Sequence, residues 1–315
     1  MKRILCLVGA IGLLLTAPCA ATVRVSLDFF PNANHIPLYV ALDRGYFAEE
    51  GVEIDIFVPA NPSDPVKLAA ARAVEFALTP QINYLIARSE ELPLVSVGAL
   101  IDRPLGGLVA LRERGVEQLD DLAGKRIGYA LAPLEPILWE TVFHCAGIDP
   151  SGVEMINVGY NTIAALVTGN VDAIGAFRNY EVLQLEDLGY DPVFFAQEAF
   201  CVPTTYELIL VVHPDLIAER KDEAAAFVRA LSRGIEWTLE HPADALALFF
   251  DRFPDLDDAL NRRSFDETLP LYAIGASHAN AEVWEALQAY LAVQGLITIE
   301  FPVEELYTTE LLPGG

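Results

Sequence analysis

Three polar side chains, Asn32, Asn34 and His35, follow an alternating apolar segment near the start of the chain. They precede a helical pattern, so they lie near the free backbone N–H groups of a helix N-terminus. Asp28 and Phe29 end the preceding strand and face the same space. This group could bind a small polar ligand. Helix capping is the alternative, with Asn34 as the cap and Asn32 in an Asx turn, and the pattern alone favours neither.

A second polar group lies in the segment GAFRNYE, residues 175–181. Phe177 ends a predicted strand and Glu181 begins a helix, so Asn179 and Glu181 lie at the carboxyl end of that strand. A carboxylate here can accept hydrogen bonds from the amino group and the ring N–H of an aminopyrimidine-like edge. The alternative is a first-turn glutamate that the helix dipole stabilises, and the residues alone favour this alternative.

A third candidate pair, Tyr206 and Glu207, begins the long apolar segment TYELILVVH. An aromatic residue on a strand usually belongs to the core, and the pattern alone favours that role for Tyr206. Catalytic motifs such as GxSxG, HExxH, the P-loop and GxGxxG do not occur, and no cysteine–histidine cluster has zinc spacing. We therefore predict no catalytic residues, no metal site and no cofactor.

Alternating strand and helix patterns position these residues. One α/β series runs from residue 23 to about residue 99, a second runs from residue 125 to residue 195, and the chain is almost all helical after residue 213. Two extended apolar segments, Gly106–Leu111 and residues 205–213, bracket the middle series and predict hinge strands. We predict a discontinuous lobe 1 at 22–108 and 205–315 and a lobe 2 at 109–204. Ligands of open α/β sheets bind at the carboxyl ends of strands.

The N-terminal residues 1–21 have the pattern of a secretory signal peptide. Lys2 and Arg3 precede an apolar stretch that is too short to span a bilayer, and small residues follow it. The residues before Cys19 disfavour a lipid anchor at that cysteine. We therefore expect an exported, periplasmic protein.

The composition excludes one class of partner. The formal net charge of the 315 residues is −25, and loss of Lys2 and Arg3 would make it −27. Such a charge argues against nucleic acid, which binds basic surfaces, and indicates a solvated acidic surface. Cys145 and Cys201 remain after signal cleavage. An oxidising compartment permits a disulfide, but we expect two buried thiols.

The stretch LDFFPNANHIPLYVALDRGYFAEEGV resembles periplasmic substrate-binding proteins of ABC importers. These include binders of sulfonates, riboflavin and the thiamine pyrimidine precursor, and the fungal pyrimidine synthase of thiamine biosynthesis shares the fold. The segments DDLAGKRIGYAL, ALVTGNVDAIGAFRNYEVLQLEDLGY and YELILVV are similar to the formylaminopyrimidine-binding branch. The resemblance implies an α/β, two-lobed periplasmic binding protein, type II-like, with a helical C-terminal region. It places Asn34 and His35 on one cleft wall, and Asn179 and Glu181 on the other.

The resemblance also implies a function, which is capture of a thiamine pyrimidine precursor and its delivery to an ABC permease. The expected partners are an aminopyrimidine-like ligand and that permease, and we expect a monomer. The family often has tryptophan where this chain has Phe29, and the chain lacks the cysteine-rich run of the fungal synthase. The alternatives are another heterocycle such as riboflavin, a sulfonate, or a periplasmic enzyme or sensor domain. A sulfonate would need cationic or N–H donors, and the Glu181 carboxylate disfavours it.

Overall fold

The computed structural model describes residues 22–61, 63–132, 134–159 and 161–314. The predicted signal peptide, with Cys6 and Cys19, lies outside the described residues. Within the described ranges, no helix combines the length and the apolar character needed to cross a membrane.

The first sheet has five strands in the order β2-β1-β3-β10-β4. Strand β1 is parallel to β2 and β3, whereas β10 is antiparallel to β3 and β4. The alternation of Val23 and Val25 with Arg24 predicts β1 correctly, because both valines are fully buried and the arginine is exposed. The strands are β1 Val23–Ser26, β2 Ile54–Phe57, β3 Phe76–Thr79, β4 Val95–Ile101 and β10 Leu208–Val212.

The second sheet repeats this arrangement in the order β7-β6-β8-β5-β9, with β5 antiparallel to β8 and β9. Each sheet thus contains one antiparallel strand in the fourth position of its order, β10 in the first sheet and β5 in the second. Residues 106–108 belong to the second sheet, although the sequence pattern predicts them at the end of lobe 1. The predicted boundary falls inside the apolar run Gly106–Leu111, whereas the chain leaves the first sheet earlier, at residues 102–105. The strands are β5 Gly106–Leu111, β6 Arg126–Tyr129, β7 Glu154–Asn157, β8 Ala173–Phe177 and β9 Pro192–Ala196.

Helices cover the sheets, and four of them follow β10 as the predicted helical C-terminal region. Helix α8 packs closely on α1 at Gly234, where an added Cβ would lie 2.3 Å from the Pro37 carbonyl oxygen. The helices are α1 Ile36–Asp43, α2 Tyr46–Glu49, α3 Asp64–Ala70, α4 Gln81–Ser89, α5 Leu134–Cys145, α6 Thr162–Thr168, α7 Glu181–Asp187, α8 Pro214–Glu240, α9 Pro242–Arg252, α10 Ala259–Thr268 and α11 Ala281–Val293.

One apolar cluster is shared by both sheets at the crossings. It joins Ala99 of β4 and Leu108 of β5 with Val142 of α5 and Leu287 of α11, all of which are buried. The chain crosses between the sheets at residues 102–105 and again at 197–207. The crossings therefore lie beside a packed core.

Cys145 and Cys201 form a disulfide, with their Cα atoms 5.8 Å apart. The expectation of two buried thiols is wrong, and both cysteines are exposed. Strand β9 runs back beside β5, and the turn after it, Gln197–Ala199, contacts α5. This return places Cys201 next to the end of α5, although 56 residues separate the two cysteines.

Candidate functional site

The carboxyl ends of β1 and β8 come together between the two sheets. Asn34, in the turn between β1 and α1, accepts a hydrogen bond from the Asn179 side chain at 2.9 Å, and both side chains are buried. The same Asn179 amide nitrogen donates to the Thr268 hydroxyl of α10 at 2.8 Å. The structure thus brings the two predicted cleft walls into direct contact. The side-chain amides of Asn34 and Asn179 bond to each other.

The turn Ala33–His35 positions the first wall. Asn32 caps this turn, because its Oδ1 accepts the Asn34 backbone N–H at 2.8 Å. His35 is fully buried, and its Nδ1 accepts the Asn32 backbone N–H at 3.3 Å. The proton therefore lies on His35 Nε2, which donates to Asp28 Oδ1 at 2.7 Å. This chain of bonds fixes the half-buried Asp28 carboxylate beside the end of β1.

Glu181 is the first residue of α7 and turns back onto the end of β8. Its Oε2 accepts the Phe177 backbone N–H at 2.8 Å. Burial raises the pKa of the Glu181 carboxyl, and the N–H groups of Phe177 and of Glu181 itself oppose that shift. Within the part of the chain that the structure describes, no ion pair involves Glu181. The remaining oxygen positions of this carboxyl are available to a ligand.

Glu207 lies where the two crossings meet. Its Oε2 accepts the Leu105 backbone N–H at 2.8 Å, which joins the second crossing to the first. Burial raises the pKa of Glu207 to about 7; the Leu105 N–H lowers it, and the negative charge of Asp28 raises it. The positive charge of Arg178, which pairs with Glu198, lowers the pKa of Glu207. The residues Asp28, Glu207, Arg178 and Glu198 therefore share one charged region between the lobes.

Tyr206 points away from this region. Its ring packs against His278 and Trp284, and its hydroxyl accepts the Asn280 backbone N–H at 3.1 Å. The ring is buried in the apolar cluster at the crossings. The structure therefore places Tyr206 in the core position that the strand pattern alone favours, and does not group it with the other candidates.

Exposed aromatic rings flank the polar groups. Phe29 after β1 is 40% exposed and Phe177 at the end of β8 is 39% exposed. Phe29 packs edge-to-face against Phe30, at 5.3 Å between ring centroids. Each lobe thus presents an exposed aromatic ring a few residues along the chain from one of the bridging asparagines, and such a ring can stack on a planar heterocycle.

The sequence pattern did not indicate one carboxyl of this region, that of Glu135. Glu135 lies at the start of α5, after β6, and accepts the Ala130 backbone N–H at 2.9 Å. The pKa of Glu135 is raised to about 7, chiefly by burial; the backbone N–H groups of Ala130 and Leu131 oppose this shift, and the nearby charge of Glu181 adds to it. The sequence feature that could have indicated Glu135 is its position at the start of a helix that follows a strand, which it shares with Glu181. It was missed because a first-turn glutamate is common without any ligand.

The arrangement favours a particular ligand chemistry. Burial raises the pKa values of three half-buried carboxyls, Glu135, Glu181 and Glu207, and wherever they are ionised their negative charge repels an anionic ligand. Amino and ring N–H donors between aromatic surfaces suit the same groups. Among the described residues, no group of three or more histidine, cysteine, aspartate or glutamate side chains is placed to hold a metal ion.

The sequence is similar to those of known proteins. A family model described as NMT1/THI5 like matches residues 32–245. The formylaminopyrimidine-binding protein of Halalkalibacterium halodurans is 36% identical over 279 residues, covering 86% of this chain and 84% of that protein. A 4-amino-5-hydroxymethyl-2-methylpyrimidine phosphate synthase of Legionella pneumophila is 28% identical over 293 residues, covering 92% of each.

The fold also matches solved structures. The alkanesulfonate-binding protein SsuA from Xanthomonas axonopodis pv. citri, bound to MOPS, superposes with a TM-score of 0.73. The match covers 91% of this chain and 98% of that chain at 15% identity. At this identity the similarity shows the fold alone, and it confirms the predicted two-lobed α/β arrangement.

Proposed function

The chain belongs to the NMT1/THI5-like family, and from this premise we propose that it is an exported solute-binding protein for a thiamine pyrimidine precursor. The observation that carries the proposal is the position of the Glu181 carboxyl at the end of β8, where burial raises the pKa of this carboxyl. It lies two residues after Asn179, which bonds to the opposite lobe, and next to an exposed Phe177.

The Glu181 carboxyl matches the edge of an aminopyrimidine. One oxygen accepts from the exocyclic amino group, and the other pairs with the neighbouring ring nitrogen, with the proton on either partner. The raised pKa of Glu181 favours a shared proton in such a pair. Stacking on Phe29 or Phe177 would hold the ring plane, since both rings are partly exposed.

A sulfonate ligand fits this site poorly. Arg178 acts on the carboxyl of Glu207 and lowers its pKa, but it already pairs with Glu198. An anion would also need to approach Asp28 and Glu207. The similarity to a sulfonate-binding structure therefore supports the two-lobed fold of this chain but not a sulfonate as its ligand.

Binding without turnover is part of the proposal. The chain is more similar to the formylaminopyrimidine-binding protein, at 36% identity, than to the Legionella synthase, at 28%. We place the protein in the periplasm, as a monomer that delivers its ligand to an ABC permease. Support for this placement comes from the signal pattern at residues 1–21 and from the fold.

The experiment is identification of the ligand by mass spectrometry after release from purified protein. A thermal-shift panel accompanies it, with the hydroxymethyl, aminomethyl and formylamino forms of the pyrimidine, riboflavin and an alkanesulfonate. We expect stabilisation by the pyrimidines and recovery of unchanged pyrimidine after long incubation. Steady conversion to a product, or stabilisation by the sulfonate alone, would overturn the proposal.

A further inference from the structure

Helix α5 brings two side chains onto strand β8 beside Glu181. Glu135 and Trp139 are one helical turn apart and both contact Gly175. A Cβ added to Gly175 would lie 2.9 Å from Glu135 Oε2 and 2.9 Å from Trp139 Cζ2. Gly175 and Phe177 share one face of β8, because side chains alternate along a strand. The missing side chain at Gly175 therefore makes room for Glu135 next to Glu181, which holds the Phe177 N–H.

Trp139 carries an unused hydrogen-bond donor. Its side chain is only 2% exposed, and its Nε1 has no hydrogen-bond partner among the described residues. The ring atom Cζ2 that faces Gly175 neighbours the carbon that bears Nε1. A buried indole N–H usually has a partner, and leaving it unpaired is costly. The indole that carries the free donor thus lies against Gly175, as the Glu135 carboxyl does.

Glu135 retains acceptor capacity. The backbone N–H groups of Ala130 and Leu131 occupy part of its carboxyl, which offers about four acceptor positions when it is ionised. Within the described residues no arginine, lysine or histidine forms an ion pair with Glu135. Glu135 and Trp139, one helical turn apart on α5, therefore offer one acceptor and one donor on side chains that both lie against Gly175.

In an inference that rests on the proposed function, we propose that Glu135 and Trp139 form a second polar subsite beside Glu181. It binds a neutral ring substituent that both donates and accepts a hydrogen bond, which is a hydroxyl or an amide. Glu181 holds the amidine edge of the ring, and the second polar subsite distinguishes the substituents. An ammonium substituent would satisfy Glu135 but leave the Trp139 N–H unpaired.

The test is calorimetry of Glu135→Gln, Trp139→Phe and the unsubstituted protein with three probes. These are 4-amino-5-hydroxymethyl-2-methylpyrimidine, its aminomethyl analogue and formylaminopyrimidine. We expect Trp139→Phe to weaken the hydroxymethyl and formylamino probes about three- to tenfold and to leave the aminomethyl probe unchanged. Glu135→Gln should weaken all three on the order of tenfold. Glu140→Gln, an exposed change on the same helix, is the control and should change nothing.

The outcomes separate this inference from the proposed function. If Trp139→Phe changes all three affinities equally or not at all, Trp139 only packs and the inference is overturned. If Glu135→Gln lowers the melting temperature but leaves every affinity unchanged, Glu135 only orders the loop before α5, and the inference again fails. If the unsubstituted protein binds none of the probes, the proposed function fails, and the inference fails with it.

Discussion

Glu181 combines a helix-start position with a buried carboxyl, and its two possible roles predict different measurements. As a ligand contact it contributes a charge-assisted hydrogen bond, so Glu181→Gln should weaken pyrimidine binding about ten- to a hundredfold. Its contribution to the helix dipole is only about 0.3–1 kcal/mol, so the fold should survive. Glu282→Gln is a matched control, since Glu282 is an exposed first-turn residue of α11. Unchanged affinity in calorimetry, with lowered stability, would contradict the ligand role.

Glu207 predicts how stability depends on pH. Burial raises its pKa from an ordinary 4.5 to about 7, so the folded state holds this proton over a pH range in which the unfolded chain has lost it. The free energy of unfolding should therefore fall as pH rises from about 4.5 to about 7. Glu207→Gln should remove part of this fall, on the order of 2 kcal/mol between pH 4.5 and pH 8. Urea titrations at several pH values measure the effect, and an unaltered pH profile would contradict it.

At the scale of the elements, the disulfide joins the end of α5 to the second crossing. It closes a 56-residue separation, for which the loop-entropy model gives about 4 kcal/mol of stabilisation. The double substitution Cys145→Ser, Cys201→Ser should lower the free energy of unfolding by about 2–4 kcal/mol. Pyrimidine affinity should be retained, because neither cysteine belongs to the candidate site. Thiols that react in the native oxidised protein would show that the bridge does not form.

At the scale of the whole molecule, the bridge from Asn34 through Asn179 to Thr268 joins the two lobes. Ligand should favour the state in which this bridge forms, because the same closure buries the cleft. Small-angle scattering should therefore give a smaller radius of gyration with 4-amino-5-hydroxymethyl-2-methylpyrimidine than without it. Asn179→Ala should reduce that decrease, whereas Asn170→Ala, an exposed change in the same lobe, should leave it intact. The same radius for Asn179→Ala and the unsubstituted protein at saturation would contradict a bridging role.

The sequence alone determined the features that depend on residues close together along the chain, such as the positions of strands and helices. Apolar alternation located β1, and the helical period located α1 and α4. The position of Glu181 after Phe177 was also local, because a strand end followed by a helix start puts the first-turn carboxyl at that strand end. Strand β10 begins at Leu208, three residues later than the apolar run suggests. The backbone of Tyr206 and the side chain of Glu207 bond instead to Gln81 and Leu105, which are distant in sequence.

Only the tertiary structure decided which distant residues meet. The pairing of Cys145 with Cys201 depends on β9 returning beside β5, and the bridge between Asn34 and Asn179 depends on how the lobes meet. The approach of Glu135 to Glu181 depends on α5 lying over Gly175. Local patterns carry no information on these contacts, since they follow from the order of strands in each sheet and from the two crossings. The raised pKa values have the same origin, because burial is a property of the packed molecule.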